Sequence, residues 1–174
     1  MATTPTDHPA QGDLRLLDTP AAADLLARAI PARLAYVTRE GAPRIVPTWF
    51  HWDGEEIVMA TWTAGDHVRY PARRLRDLRD RPEVTISIDT EDQPPVALQL
   101  RGRATVDEVT GLVPEYRLCA ERYLGAEVAA GYLAEFDGLD GVGMARIALR
   151  PEWVGLLDFA ERLPGPLGGI HPAG

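Results

Sequence analysis

Arg44-Ile45-Val46-Pro47-Thr48-Trp49-Phe50-His51-Trp52-Asp53-Gly54, followed by Glu55-Glu56-Ile57-Val58-Met59-Ala60-Thr61, is the stretch that decides the fold class. Strand-forming side chains fill Arg44 to Trp52. Asp53-Gly54 is a residue pair that turns a chain tightly into a returning strand, here Glu55 to Thr61. Just upstream, Arg33 to Thr38 alternates Leu34, Tyr36 and Thr38 against Ala35 and Val37 and stops at the turn Glu40-Gly41-Ala42-Pro43. Three strands in succession are therefore expected before residue 62.

Outward from this core, Trp62 to Pro71 breaks into glycine, proline and isolated aromatics and reads as a loop. Arg73 to Arg79 sets Leu75 and Leu78 three apart among arginines and ends at Pro82, which predicts a short basic helix. A fourth strand alternates Val84, Ile86 and Ile88 with polar residues. A fifth, Val96 to Val106, carries Gly102 as the mark of a bulge or a close backbone approach, and a sixth runs from Gly143 to Leu149. Thr19 followed by Pro20 predicts a helix start, and two more helices are expected over Pro114 to Leu124 and Glu127 to Phe136. Strands and helices do not alternate as a parallel sheet requires. The expected fold is mainly β, of the α+β kind: a six-stranded antiparallel barrel with accessory helices over residues 19–160. Residues 1–18 are expected as a disordered leader and 161–174 as a flexible tail.

The chain has 174 residues, 45% of them apolar, which suits one domain with a core. Its net charge of -8 repels a phosphate backbone, so no nucleic-acid partner is expected. The basic run from Arg69 to Arg81 has the size for a small phosphorylated ligand instead. All eighteen basic residues are arginine. Without a lysine amine, Schiff-base chemistry and a Walker-type phosphate loop are both excluded. Cys119 lies on the apolar side of a predicted helix, where a lone thiol is packing. No apolar run has membrane-spanning length and no metal-ligand spacing occurs, so the expectation is a cytoplasmic protein with no membrane partner and no metal site.

Together, Glu40-Gly41-Ala42-Pro43, Arg44 to Phe50, Trp52-Asp53-Gly54 and Ala60-Thr61 resemble the first half of the flavin-binding split β-barrels of the pyridoxamine 5'-phosphate oxidase-like superfamily. Arg74-Leu75-Arg76-Asp77-Leu78-Arg79 and Arg81-Pro82-Glu83-Val84 are similar to that superfamily's basic helix and the strand after it. Leu100-Arg101-Gly102-Arg103-Ala104 and Glu121-Arg122-Tyr123-Leu124-Gly125 resemble a later strand and the late helix. The resemblance covers roughly residues 20 to 155 and implies a split barrel, a homodimer and a bound FMN, with coenzyme F-420 as the alternative and haem as a third option. It implies that Arg44, Ile45, Val46, Pro47, Thr48 and Trp49 line the ring or ribityl chain. Ala60, Thr61 and Trp62 would line the far edge, and Arg73 and Arg74 would grip the phosphate. The loop before Arg74 is longer than the superfamily's usual link, so His67 or Arg69 is expected to share that work, and Asp77 stands where an asparagine is usual.

The implied function is an oxidoreductase that moves a hydride to or from a small organic substrate; Tyr36, Thr48 and His51 are open as proton donors. The alternative is a non-catalytic flavin, haem or tetrapyrrole binding protein on the same fold, and a third reading is an interaction module whose cofactor site has decayed. Trp49 and Trp62 are equally readable as core or dimer-seam aromatics. True pyridoxamine 5'-phosphate oxidases end in an Arg-Leu-His-Asp-Arg type of segment, where this chain has Arg162-Leu163-Pro164-Gly165-Pro166. That difference, with the missing lysine, implies that this protein is not that oxidase itself.

Overall fold

The computed structural model describes residues 9–70, 72–136 and 139–159. In chain order the elements are α1 (Pro20–Ala27), β1 (Ala32–Val37), β2 (Pro43–Thr48), β3 (His51–Trp52), β4 (Ile57–Ala64), α2 (Arg74–Asp80), β5 (Glu83–Asp89) and β6 (Val96–Thr110), then α3 (Pro114–Leu124), α4 (Ala126–Ala134), β7 (Gly143–Leu149) and β8 (Trp153–Asp158). Neighbouring strands run β2-β1-β5-β6-β7-β4-β3, with β8 added on β6, and the pairs are antiparallel. The sheet does not close, because β2 and β3 are its two ends. This is the expected α+β fold, a mostly antiparallel split barrel.

Strand β6 makes the split. Its first part pairs with β5 (Ala97 opposite Asp89, Arg103 opposite Glu83) and with β8, and from Ala104 onward it pairs with β7. At the changeover sits Gly102, where an added Cβ would lie 2.5 Å from the Arg150 carbonyl oxygen. The close approach expected there is real, and only glycine allows it. Alternation along β5 buries Val84, Ile86 and Ile88, which meet Leu34, Leu98, Leu100, Ile147, Leu149, Val154 and Leu156 in one core. Each such fully buried side chain contributes about 1.5 to 3 kcal/mol from area removed from water.

Eight strands stand where six are expected. The run 44–52 is two strands, since β2 stays on β1 while β3 pairs with β4 at the far end of the sheet, and Trp49-Phe50 carries the chain between them. Phe50 is fully buried at that crossing. Unbroken strand-forming chemistry hides such a change of sheet. The hairpin is also longer than expected: the Asp53 carboxylate accepts the Glu55 and Glu56 N–H groups, and pairing resumes at Ile57. β4 continues through Trp62 to Ala64, where a loop is expected, and β8 adds the eighth strand.

Thr19 caps α1 by accepting the Ala22 N–H, and Pro20 opens the helix as expected. The stretch 9–18, expected as part of a leader, packs on β8. Gly12 N–H donates to the Val154 carbonyl at 2.7 Å, Gln11 exchanges two hydrogen bonds with the backbone of Leu156, and Leu16 is fully buried. The rest of that expected leader and the expected tail lie outside the described residues.

Candidate functional site

A cleft of about 570 Å³ opens where β2, β4, α2 and α3 converge. The crossing at Trp49-Phe50 creates it by bringing the end of β2, Thr48, beside the middle of β4, Ala60 to Trp62. α2 buries Leu75 and Leu78 against the core, which turns Arg74 into the cleft. The segment His67 to Tyr70 lies on one side and Tyr116 of α3 on another.

The walls are aromatic. Trp49 lies on Tyr123 with ring centroids 5.1 Å apart and planes 3° from parallel. Trp62 meets Tyr116 at 5.6 Å and His67 at 4.5 Å edge-on, and Phe136 at 4.7 Å with the rings tilted by 38°. The Tyr116 and Tyr132 hydroxyls share a hydrogen bond of 2.6 Å. Burial and then that bond push the Tyr116 pKa up, and burial does the same at Tyr123, so both remain neutral phenols. Flat walls and neutral hydroxyls suit a planar, hydrogen-bonding ring.

Arg74 supplies the charge. Its guanidinium donates to the Thr61 hydroxyl, and among the described residues no carboxylate stands within ion-pair distance of it. Burial pushes its pKa down, because the cation is partly withdrawn from water without a counter-charge. A guanidinium so placed fits a phosphate or carboxylate through paired, charge-assisted hydrogen bonds.

Of the residues named from sequence, Thr48, Trp49, Ala60, Thr61, Trp62 and Arg74 line this cleft. The others do not join them within one chain. Arg44 and Ile45 face a groove of about 790 Å³ on the outer side of β1, β2, β5 and β6, together with Tyr36, Arg101 and Trp153. Val46 packs against the core, and Pro47 is an exposed position opposite Arg33. Arg73 turns into a neighbouring cleft of about 750 Å³ with Arg76, Arg79 and Tyr70. The outer groove is larger, but its arginines Arg44 and Arg101 are exposed, whereas Arg74 is partly buried with no carboxylate among the described residues, which makes the smaller cleft the candidate site.

His67 and Arg69 both line the cleft, as the longer loop suggests. Asp77 is buried and accepts the Arg39 N–H at 3.3 Å, so it serves the β1–β2 turn. Of the three open proton donors only Thr48 reaches the cleft; Tyr36 lines the outer groove and His51 a pocket beside α1. Tyr116 and Tyr132 carry no site signal in the sequence, because their helical spacing is also that of packing residues. Cys119 is buried, with its pKa pushed up to about 11 by that burial, which leaves an inert thiol. Among the described residues no group of three or more metal-ligating side chains occurs, and no helix is long and apolar enough to cross a membrane.

Comparison with known proteins places this geometry. Residues 18–156 match the sequence model of pyridoxamine 5'-phosphate oxidase. Among solved structures, an F420 reductase is 25% identical, with a TM-score of 0.55 over 76% of this chain and 94% of its own. A conserved hypothetical protein of Mycobacterium tuberculosis is 17% identical, with a TM-score of 0.58 over 88% of this chain and 90% of its own. A putative pyridoxamine 5'-phosphate oxidase of Listeria innocua is 16% identical, with a TM-score of 0.54 over 78% and 94%. The last two likenesses speak for the fold alone. No curated protein matches. A match over most of the chain, on a split barrel with an aromatic cleft and a basic helix, makes this chain a member of the pyridoxamine 5'-phosphate oxidase family.

Proposed function

We propose that this protein is an oxidoreductase that holds a phosphorylated flavin, FMN, or the deazaflavin coenzyme F-420 in the cleft and passes a hydride to or from a small organic substrate. The observation that carries the reading is Arg74: a partly buried guanidinium at the edge of an aromatic-walled cleft, satisfied by a neutral hydroxyl and by no carboxylate among the described residues. The likeness to an F420 reductase supports the deazaflavin arm.

When bound, the cofactor supplies the hydride chemistry. The chain's own work is placement. Arg74 and Arg69 would hold the phosphate, Trp49 and Trp62 would wall the ring, and the neutral Tyr116 hydroxyl would offer a hydrogen bond within the cleft. The volume of about 570 Å³ lies within the range that encloses a ligand of this size.

A homodimer belongs to the same proposal. β2 is a free sheet edge, and Ile45 (69% exposed) and Val37 (37% exposed) line the outer groove beside Arg44. A second copy seated there covers that apolar surface and gives Arg44 and Ile45 a place at a shared seam. The reading also sets this protein apart from pyridoxamine 5'-phosphate oxidase itself, since no lysine is available to grip that enzyme's substrate phosphate and the segment 162–166 lacks the expected histidine and second arginine.

The absorption spectrum of the purified full chain tests the proposal. A band near about 450 nm identifies flavin and one near about 420 nm deazaflavin, while a sharp Soret band identifies a haem binder instead. A colourless protein that takes up neither FMN nor F-420 on reconstitution overturns the reading.

A further inference from the structure

We infer that Arg122, which is not part of the cleft lining, is the positioning residue that sets its aromatic wall; this rests on the function proposed for the cleft. Arg122 lies in the last turn of α3 and reaches three segments. It donates to the Leu26 carbonyl at 2.8 Å, to the Phe50 carbonyl, and to the Tyr123 hydroxyl at 3.0 Å. Its guanidinium carbon sits 4.3 Å from the centre of the Phe50 ring and 4.8 Å from that of Tyr123.

Each contact has a geometric output. The Leu26 carbonyl belongs to the last turn of α1, where backbone oxygens have no partner within the helix. The Phe50 carbonyl lies on the crossing between β2 and β3, one peptide from Trp49. Tyr123 passes its own hydroxyl hydrogen to the Ile30 carbonyl at 3.0 Å, so its ring is held from two directions, and that ring lies flat on Trp49. Arg122 thus fixes Trp49 twice, through the backbone beside it and through the ring stacked on it.

The arrangement makes little sense as a source of stability alone. Among the described residues Arg122 has no carboxylate partner, and its buried Nε–H has no acceptor. An apolar side chain of similar volume avoids both costs. What only arginine provides is a planar fork that bonds two carbonyls and a hydroxyl while lying between two rings.

The test uses the full-length protein with Arg122→Lys, with Tyr123→Phe as a milder variant that keeps the ring and loses the hydroxyl, and with Leu26→Ala as a control that loses core packing but keeps the carbonyl. Dissociation constants for FMN and F-420 and the near-ultraviolet circular dichroism of the free protein are read. Arg122→Lys is expected to weaken cofactor binding roughly tenfold to a hundredfold, as a displaced positioning group does, and to lose the Trp49–Tyr123 band. Tyr123→Phe should show a smaller loss of both, and Leu26→Ala should lose thermal stability alone. Wild-type-like binding and an unchanged band in both Arg122→Lys and Tyr123→Phe overturn the inference. If the wild type binds neither cofactor, the functional reading fails separately, and the near-ultraviolet band still decides the positioning role: lost in Arg122→Lys, the role stands; unchanged, it falls.

Discussion

Arg74 on α2 and Thr61 on β4 are joined by a hydrogen bond from guanidinium to hydroxyl across the mouth of the aromatic cleft. Several other arginines have carboxylate partners: Arg33 pairs with Asp89 at 2.6 Å, Arg39 with Asp80 at 2.6 Å and Arg79 with Glu108 at 2.7 Å. Arg74 instead is partly buried at the cleft, with a neutral hydroxyl as its partner and no carboxylate among the described residues, and it is the cation proposed to meet a ligand. On that proposal the charge that matters is local, which a net charge of -8 over the whole chain permits.

Gly102→Ala should destabilise the barrel without abolishing folding. Its new Cβ would meet the Arg150 carbonyl oxygen at 2.5 Å and Leu149 Cδ1 at 2.9 Å. Overpacking of this kind costs about 1 to 3 kcal/mol. Chemical denaturation should show a lower midpoint with an unchanged slope.

How much was legible depended on how locally each feature is encoded. The alternation of Val84, Ile86 and Ile88, the Thr19 cap and the close approach at Gly102 are written in neighbouring residues, and all are found in the structure. The break at Trp49-Phe50 is a tertiary event inside a run of good strand formers, so periodicity carried no trace of it. For the same reason the named site residues scattered. A strand that ends and crosses sends Thr48 and Trp49 into the cleft but leaves Arg44 and Ile45 on the outer groove. Tyr116 and Tyr132 could not be told from packing residues until α3 and α4 were seen to place their hydroxyls together.

Ile45→Asp should convert a dimer into a monomer. Ile45 is 69% exposed on a free strand edge, and on the proposed seam a carboxylate in its place would have to give up its water, a cost an apolar side chain does not carry. Sedimentation at micromolar concentration checks both halves of the statement. A monomeric wild type, or a variant that stays dimeric, contradicts the assignment of that face.

Alkaline pH should unfold the protein in part through Cys119. Burial raises its pKa from the usual 9.0 to about 11, so the thiol's contribution is full below pH 9 and is lost as pH rises through about 11. The loss is on the order of 2 kcal/mol. Half-buried Tyr116 and Tyr123, shifted in the same direction, extend the decline above pH 10. Cys119→Ala should flatten the curve between pH 9 and 11, and an unchanged slope there would assign the alkaline loss to the tyrosines alone.

Pyridoxamine phosphate should not be turned over. With no lysine in the chain and Pro164-Gly165-Pro166 where basic contacts are expected, two or three charge-assisted contacts are missing. At about 1.5 to 3 kcal/mol each, their absence raises the substrate's dissociation constant by several powers of ten. FMN-loaded protein is assayed for hydrogen peroxide and pyridoxal phosphate, and turnover at micromolar substrate sinks the distinction.

The central claim is that Arg74 anchors a phosphorylated flavin or deazaflavin, and equilibrium titration of wild type and Arg74→Ala with FMN and F-420 tests it most directly. Loss of one charge-assisted phosphate contact should weaken binding by about 1.5 to 3 kcal/mol, or roughly 10- to 150-fold. The free protein's melting temperature should stay unchanged or rise, since the substitution removes a partly buried cation that has no counter-charge among the described residues. Binding by the wild type to one of the two cofactors with that loss in the variant is the predicted result; equal dissociation constants for the two proteins, or no binding by either, would contradict it.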